Sequence, residues 1–310
     1  ILTKLPSLIC KESKKYPNMI LSVCIRNILK KYNLSKDIEN AFINRSTEHS
    51  SLNADKMLCK NYDCWQPNGD IVVDGYSKLI KKLSKHIKIK LNSEVIEIDQ
   101  SDTNVKITTK DNNYIAKYVI STIPLGVLKT NKIMFIPSLP EEKINSFKKI
   151  DTGLHEKIFL SFPYKFWDVT KHVFHYADKN NRGACTQWQS LPIQTSNNII
   201  YTNLSGPDVN YVYKTDNQLQ IICMKNLKKI FGKQIPEPLN IHVTRWKTDP
   251  YTMGSAHCQP NLEGSKEDFK IIRKPFNKLF FAGISEEVTE TVEAAILTGI
   301  KTAKEILCKK

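Results

Sequence analysis

The segment Lys278-Leu279-Phe280-Phe281-Ala282-Gly283, together with residues 291–307 (TVEAAILTGIKTAKEIL), decides the fold class. A short apolar run that ends at a glycine is typical of a buried strand and turn. The apolar residues that follow recur every three or four positions, which predicts a helix. Its early residues are rich in glutamate and its late residues in lysine, as the helix dipole favours. The residues that share the apolar face are Val288, Val292, Ala295, Ile296, Gly299, Ile300, Ala303, Ile306 and Leu307.

The region upstream carries strand patterns. Apolar residues alternate with polar ones at 87–91, 95–98 and 105–109, and turn-forming residues separate the later runs. Residues 114–123 form a return strand whose apolar end precedes Pro124, which predicts a buried central strand that leaves its sheet there. Further helices are predicted at 21–29, 79–87 and 219–230, further strands at 158–162 and 199–201, and a connecting loop at 44–70.

Length and composition exclude some classes of protein. The 310 residues suggest two domains, because domains average about 150 residues. Hydrophobic residues make up 41% of the chain, and none of its apolar runs reaches the length of about 18 residues that a membrane-spanning helix needs. The net charge of +15 comes without a nucleic-acid reading motif or interleaved aromatic residues, so we expect no nucleic-acid partner. The oligomeric state stays open.

The cysteines indicate the compartment. All eight are scattered and form no C-x-x-C motif, which favours buried thiols in a reducing compartment, by default the cytoplasm. Three N-x-S/T sequons, at Asn33, Asn44 and Asn203, are too common a pattern to change that expectation. The chain begins with Ile1 and shows no signal-peptide pattern, so we interpret it as a fragment or a processed product.

Several common catalytic motifs are absent from the sequence. His172 and His175 lie in a strand-like aromatic stretch, where a satisfied or exposed histidine pair is a better interpretation than a metal site. No G-x-S-x-G hydrolase motif occurs. None of the 11 glycines forms G-x-G or a P-loop, so the usual dinucleotide fingerprint is absent.

What remains is a set of four segments whose order resembles the flavin-containing amine oxidase family, and polyamine oxidases in particular. The resemblance covers residues 70–310, about three quarters of the chain. The segments are DGYSKLIKKL with KLNSEVIEI; YVISTIPLGVLK with IMFIPSLPEEK; KIFLSFPYKFW; and VTRWKTDPYTMGS, followed by KLFFAG and the last helix.

The resemblance implies FAD as the cofactor and assigns residues to it. Val95 matches a strand residue that contacts the FAD adenosine through its backbone, and Trp246 matches a tryptophan packed against the flavin ring. Gly283 matches the glycine after the last strand. Thr291 and Val292 match the start of the last helix, whose N–H groups point at the flavin edge where negative charge appears on reduction. An ordinary strand valine and a core tryptophan are the structural alternatives for the first two.

The resemblance also assigns residues to the reaction. Lys157 stands where the family has a lysine that holds a water molecule near flavin N5, which would assist hydride transfer or reoxidation. A surface lysine beside Glu156 is the alternative interpretation. His155 would face the substrate tunnel, and Glu293 stands where relatives carry His or Glu near the substrate. Glu286, Glu287 and Glu290 would attract a cationic amine or form a solvated acidic turn.

The sequence departs from the family pattern at several positions. The strand–G-x-G-x-x-G–helix segment that holds the FAD pyrophosphate is missing, so the cofactor-binding sheet lacks its central strands. Ile284 replaces an acidic residue that contacts the cofactor, and Ala256 replaces an aromatic residue of the substrate cage. The loop from Gly283 to Thr291 is shorter than usual, and Ala294 replaces a glycine.

The sequence thus predicts an α/β (α+β) protein in which an incomplete Rossmann-like FAD domain (70–135 and 244–310) interleaves with a substrate domain. The latter combines helices (1–69) with a mixed sheet (136–243). The implied reaction passes a hydride from the carbon beside an amine nitrogen to the flavin, and oxygen then yields hydrogen peroxide. The partners are therefore a polyamine-like substrate and oxygen. The alternative is a non-catalytic relative that binds a partner or ligand without FAD, which Ile284 and Ala256 favour.

Overall fold

The structure is a computed structural model that describes residues 5–50, 53–62, 72, 75–176, 185–191, 197–205, 211–255, 258–284 and 291–309. Within these ranges helices alternate with several small sheets, which confirms the α/β class predicted from the sequence. None of the described helices is long and apolar enough to cross a membrane.

The N-terminal part is helical, with α1 (Leu5–Lys15), α2 (Leu21–Lys30) and α3 (Lys36–Ser50). The predicted helix at 21–29 is confirmed, and its apolar face is buried among the three helices. The loop predicted from residue 44 is wrong over its first part, because α3 continues to Ser50. Phe42 and Ile43 anchor this helix in the core, and the polar residues after them simply extend it. Short 3-10 turns follow at Ala54–Lys56 and Cys59–Asn61.

A four-stranded sheet follows helix α4 (Tyr76–Leu83). Its members are β1 (Val95–Asp99), β2 (Val105–Thr109), β3 (Asn113–Ala116) and β5 (Met134–Ile136), in the order β3-β2-β1-β5. Only the β1–β5 pair is parallel. The strand predicted at 87–91 is wrong: these residues lie between α4 and β1, and their apolar side chains are exposed. Alternation of isoleucine and lysine had suggested a strand, but these residues join none of the described sheets.

A separate pair of parallel strands carries the last helix. β4 (Val119–Ser121) pairs with β13 (Leu279–Phe281), which leads to α9 (Val292–Leu307). β13 is fully buried, as predicted. β4 has β13 as its single strand partner in the described chain, and its Ile120 is exposed, so the prediction of a buried central strand is wrong for these residues.

The largest sheet has five strands in the order β11-β7-β10-β9-β8, with α7 (Asp216–Phe231) packed on it. Its strands are β7 (His155–Ser161), β8 (Val173–His175), β9 (Gln187–Ser190), β10 (Ile199–Ser205) and β11 (Asn240–Val243). The predicted strands at 158–162 and 199–201 and the helix at 219–230 are confirmed. The remaining elements are α5 (Leu125–Leu128), α6 (Glu141–Lys149), β6 (Ile150–Thr152), β12 (Cys258–Pro260) and α8 (Lys266–Arg273).

Three apolar clusters form the core: the N-terminal helices, the five-stranded sheet with α7, and a third cluster that joins β1, β2, α5, α6, α8 and β13. The domain boundaries expected from the sequence stay a prediction. Of the described cysteines, Cys24, Cys59, Cys185 and Cys223 are buried thiols, as expected. Cys258 is half-buried and Cys308 is exposed, so the expectation of burial does not hold for these two thiols. Cys10 is disulfide-bonded, so the expectation of a thiol is wrong there.

Candidate functional site

Strand β7 presents the first group of predicted site residues. His155 begins the strand, and its backbone N–H donates to Ser255 Oγ at 2.6 Å. Two residues later, the Lys157 N–H donates to Thr244 Oγ1 at 2.7 Å, and the Thr244 N–H donates back to the Lys157 carbonyl at 2.9 Å. The structure therefore joins β7 to the segment that follows β11, which carries Trp246.

Glu156 holds this junction together, and sequence reasoning missed it. Its side chain is 0% exposed. Oε2 accepts from Thr244 Oγ1 at 2.7 Å and from the Trp246 N–H at 3.0 Å, while Oε1 accepts from the Lys247 N–H at 2.7 Å. The signal was present in the alternation of β7, because Glu156 has the same phase as the buried Ile158 and Leu160. A carboxylate at an inward position needs buried donors.

Trp246 is thereby fixed through its backbone while its side chain stays 47% exposed. Its carbonyl accepts from the Gly254 N–H at 3.1 Å and from Thr252 Oγ1 at 2.5 Å, which closes a tight turn. An indole that is held from behind and open in front can cover a flat ring and exclude water from it. We name the Lys157–Glu156–Thr244–Trp246 arrangement the Glu156 junction.

The motif segments quoted from the sequence contact one another at a glycine. A Cβ on Gly126, in the ISTIPLGVLK segment, would lie 2.4 Å from the Met253 carbonyl oxygen. Any side chain there would push the Trp246 turn away from α5. The two motifs, far apart in the sequence, are thus in close backbone contact in the fold.

Helix α9 and the turn before it hold the second group. Gly283 adopts φ +90°, a left-handed conformation that favours glycine, and its N–H donates to Thr298 Oγ1 at 2.8 Å. Thr291 caps the helix, since its hydroxyl accepts from the Ala294 N–H at 3.1 Å. Val292 and Glu293 follow at the first turn and are both exposed. Thr291, Val292 and Glu293 therefore lie at the N-terminal end of α9, more than 40 residues after Trp246 in the chain.

Burial in α9 is opposite to its sequence pattern. The buried side chains are Thr298 and Thr302, which face β13, while Ile296, Leu297 and Ile300 on this strongly apolar helix are exposed. A contiguous exposed apolar face on a helix marks a surface that another element covers. The open pair β4–β13 beneath it gives the same indication, because parallel strands are normally buried within a larger sheet.

The other predicted residues are placed as follows. Val95 begins β1 and packs partly against the third cluster. Ala256, Glu286, Glu287 and Glu290 lie outside the described residues. Among the described residues no group of three or more histidine, cysteine, aspartate or glutamate side chains is arranged to hold a metal ion.

Tyr201, on the neighbouring strand β10, lies close to Lys157 of β7. The Lys157 Nζ stands 5.5 Å from the centre of the Tyr201 ring, and the Tyr201 hydroxyl donates to Gln189 Oε1 at 2.7 Å. Burial raises the pKa of Tyr201 above its ordinary value. The phenol therefore stays protonated at neutral pH and supports the lysine through its ring.

Comparison with known proteins identifies the protein family of this chain. The family model described as flavin containing amine oxidoreductase matches residues 13–307, nearly the whole chain. The chain belongs to this family. FAD is the cofactor that the family membership assigns to it.

Individual relatives fall into two groups. Lysine-specific histone demethylase 2 of Homo sapiens is 34% identical over 76% of this chain and 30% of its own length. Polyamine oxidase 4 of Oryza sativa is 31% identical over 84% of this chain and 54% of its own length. The chain therefore spans 30% to 54% of the length of these relatives.

Solved structures show the same fold. Putrescine oxidase bound to putrescine superposes with a TM-score of 0.73 at 14% identity, over 87% of this chain and 64% of that one. Cyclohexylamine oxidase from Brevibacterium oxydans gives a TM-score of 0.70 at 16% identity, over 91% and 66%.

The described residues fit part of FAD. Among the described residues, the nearest neighbour of a Cβ at Gly283 would lie at 3.9 Å, so the backbone there leaves room for a close ligand. The pyrophosphate end has no counterpart, because the 310 residues contain no G-x-G sequence. The chain thus carries the residues assigned to the flavin ring without the fingerprint for the rest of the cofactor.

Proposed function

We propose that this chain forms the flavin-ring and substrate part of an FAD-dependent oxidase that acts on polyamines. Family membership supports amine oxidation in general. The polyamine preference rests on the relatives that are polyamine oxidases and on the segments that resemble them.

The Glu156 junction is the observation that carries the proposal. It ties the strand of Lys157 to the backbone of Trp246 through a buried carboxylate, with three donor contacts between 2.7 and 3.0 Å. Lys157 matches the family's lysine that holds a water molecule near flavin N5, and Trp246 matches its tryptophan packed against the flavin ring. A chain retained only for binding a partner would not need a buried anion to hold an exposed indole in place.

Each residue then has a role. When bound, FAD would supply the acceptor for a hydride from the carbon beside the amine nitrogen, with oxygen as the final oxidant and hydrogen peroxide as the product. Trp246 shields the ring from water. Lys157 holds a water molecule by its ammonium group, and His155 and Glu293 face the substrate amine. The N-terminus of α9, capped by Thr291, favours the negative charge that develops at the ring edge.

The exposed apolar face of α9 supports a model in which this chain and a separate fingerprint segment each contribute part of the FAD site. The fingerprint segment that these 310 residues lack would cover Ile296, Leu297 and Ile300 and extend the β4–β13 pair. We propose that full FAD binding requires such a segment from outside this sequence.

A second candidate function is oxidation of methylated lysine, because demethylase relatives match as well as the polyamine oxidases do. The two substrates differ in size and charge, so direct competition separates them. The non-catalytic alternative makes a third outcome possible, in which FAD does not bind at all.

The experiment uses this chain alone and the same chain fused behind the fingerprint segment of the rice polyamine oxidase. We expect the fused protein to bind FAD, with a visible flavin spectrum that spermidine bleaches anaerobically faster than a dimethyl-lysine peptide does. Faster bleaching by the peptide would replace the polyamine assignment with the second candidate. A folded fused protein that stays colourless in excess FAD would contradict the oxidase proposal.

A further inference from the structure

Two buried thiols lie in contact away from the Glu156 junction. Cys185 precedes β9, and Cys223 lies in the middle of α7. Their Sγ atoms are 3.6 Å apart, and both side chains are buried in the core of the five-stranded sheet. Neither has a role in the proposed reaction.

The surrounding hydrogen bonds fix the two cysteines opposite each other. Asn226, one turn after Cys223 on α7, donates from Nδ2 to the Cys185 carbonyl at 3.2 Å. The Trp188 indole donates to the same carbonyl at 2.8 Å. Cys185 adopts φ +58°, which is uncommon for a residue with a side chain, so these contacts hold a conformation that the free chain would rarely adopt. The thiol contact is therefore a fixed feature of this part of the fold.

We propose that Cys185 and Cys223 are a modification site at which hydrogen peroxide forms a disulfide that links β9 to α7. One thiol loses its proton, and its sulfur attacks peroxide and breaks the O–O bond. The hydroxide that departs takes up that proton and leaves as water, which gives a sulfenic acid. The sulfur of the second cysteine then attacks the sulfenic sulfur, the S–O bond breaks, and a second water leaves. Two thiols and one peroxide thus give one disulfide and two waters. The proposed oxidase reaction releases this same oxidant.

The disulfide would make this part of the fold more rigid. The bridge would close a loop between positions that are 38 residues apart, which includes β9 and β10. Because β10 pairs with β7 along its whole length, the link would stiffen the sheet that carries Lys157. Cross-linking a loop of this size raises Tm by roughly 3–6 °C in a protein of this length.

Reagent peroxide tests the proposal without any flavin or amine. The reduced 310-residue chain, with the exposed Cys308 replaced by serine to prevent cross-linking between molecules, is treated with peroxide, denatured, alkylated and digested. We expect a peptide pair joined through Cys185 and Cys223, and a rise in Tm that dithiothreitol reverses. In Cys223→Ala the linked peptide and the peroxide-dependent rise should both be absent.

The outcomes are distinct. If both thiols remain open to alkylation after denaturation, the proposal is wrong. It is equally wrong if peroxide converts either one to a sulfinic or sulfonic acid without a cross-link. The thiols of Cys24 and Cys59, which also contact each other, serve as the comparison. An equal yield of disulfide at that pair would show general thiol oxidation and would contradict a specific site at Cys185 and Cys223.

Discussion

The Glu156 carboxylate accepts a hydrogen bond from the backbone N–H of Trp246 at 3.0 Å across 90 positions of sequence. The same oxygen accepts from Thr244, whose hydroxyl in turn accepts from the backbone of Lys157. The buried Glu156 side chain thus sets the position of Lys157, on β7, relative to Trp246, in the turn after β11. The consequences of this arrangement can be measured without the cofactor.

Replacing the carboxylate should destabilise the fold. Glu156→Gln keeps the shape of the side chain but removes the charge and places an NH₂ group against donors. We expect the free energy of unfolding to fall by about 2–4 kcal/mol, because buried donors lose their acceptor. Urea unfolding followed by circular dichroism measures the change.

The matched control is Glu94→Gln, which makes the same chemical change at an exposed position. It should alter the free energy of unfolding by less than about 0.5 kcal/mol. Equal effects of the two substitutions would show that the junction does not hold the Trp246 turn.

Two glycines near α9 should respond in opposite directions. Gly283→Ala forces a side chain into φ +90° although nothing crowds the new Cβ, so backbone strain alone should cost about 1–2 kcal/mol. Gly299→Ala lies within the helix, with open space around the Cβ, and should gain about 0.5–1 kcal/mol. Thermal unfolding of both variants tests this, and a neutral Gly283→Ala would remove the argument for a strained turn.

Sequence periodicity located elements well where neighbours in sequence decide the outcome. The helix at 21–29 is predicted with its buried face, because the residues that cover it lie within about 40 positions of it, in the adjacent helices and the 3-10 turns. The Glu156 junction was not predictable in this way. Its donors lie about 90 residues further along the chain, and only the inward phase of the residue in β7 pointed to it.

The exposed face of α9 should tolerate charge in the isolated chain. Ile300→Lys places a lysine on a side chain that is already in water, so the free energy of unfolding should change by less than about 0.5 kcal/mol. Ile272→Lys, in the buried core of α8, should cost more than about 3 kcal/mol. In the fused protein, by contrast, Ile300→Lys should weaken FAD binding. An unchanged FAD affinity would contradict the proposed docking of the fingerprint segment on this face.

Lys143 should give stability a pH dependence. Its Nζ donates to the carbonyls of Ile271, Ile272 and Lys274 at the end of α8, and burial lowers its pKa to about 8. The unfolded chain then binds more protons than the folded one between pH 8 and the ordinary lysine pKa of about 10.4, so stability should rise with pH across that window. The rise attributable to this lysine should be about 1–3 kcal/mol.

The measurement compares urea unfolding of the natural protein and Lys143→Met at pH 8 and pH 10. The variant should be less stable at pH 8, because the carbonyls lose their donor, and its curve should lack the additional rise. Parallel pH dependence in the two proteins would show that Lys143 titrates as an ordinary lysine.

The sequence patterns at 87–91 and in α9 predicted burial that the structure does not show, because the described residues provide no element that covers them. Alternation at 87–91 predicted a strand, but these residues pair with none of the described strands, and they remain exposed. The period of α9 predicted the helix correctly, yet its isoleucines face outward and its threonines face β13. Periodicity identifies an apolar face but does not say whether the element that covers it belongs to the same 310 residues.

The central claim is that this chain supplies the residues that act beside the flavin. The most direct test is the rate at which oxygen reoxidises the spermidine-reduced flavin in the fused protein, for Lys157→Met and for the matched exposed variant Lys171→Met. We expect unchanged FAD binding in both variants and reoxidation slowed at least about tenfold in Lys157→Met alone, because the ammonium and its water are lost. Equal reoxidation rates in the unsubstituted fused protein and in both variants would contradict the role of Lys157 beside the flavin.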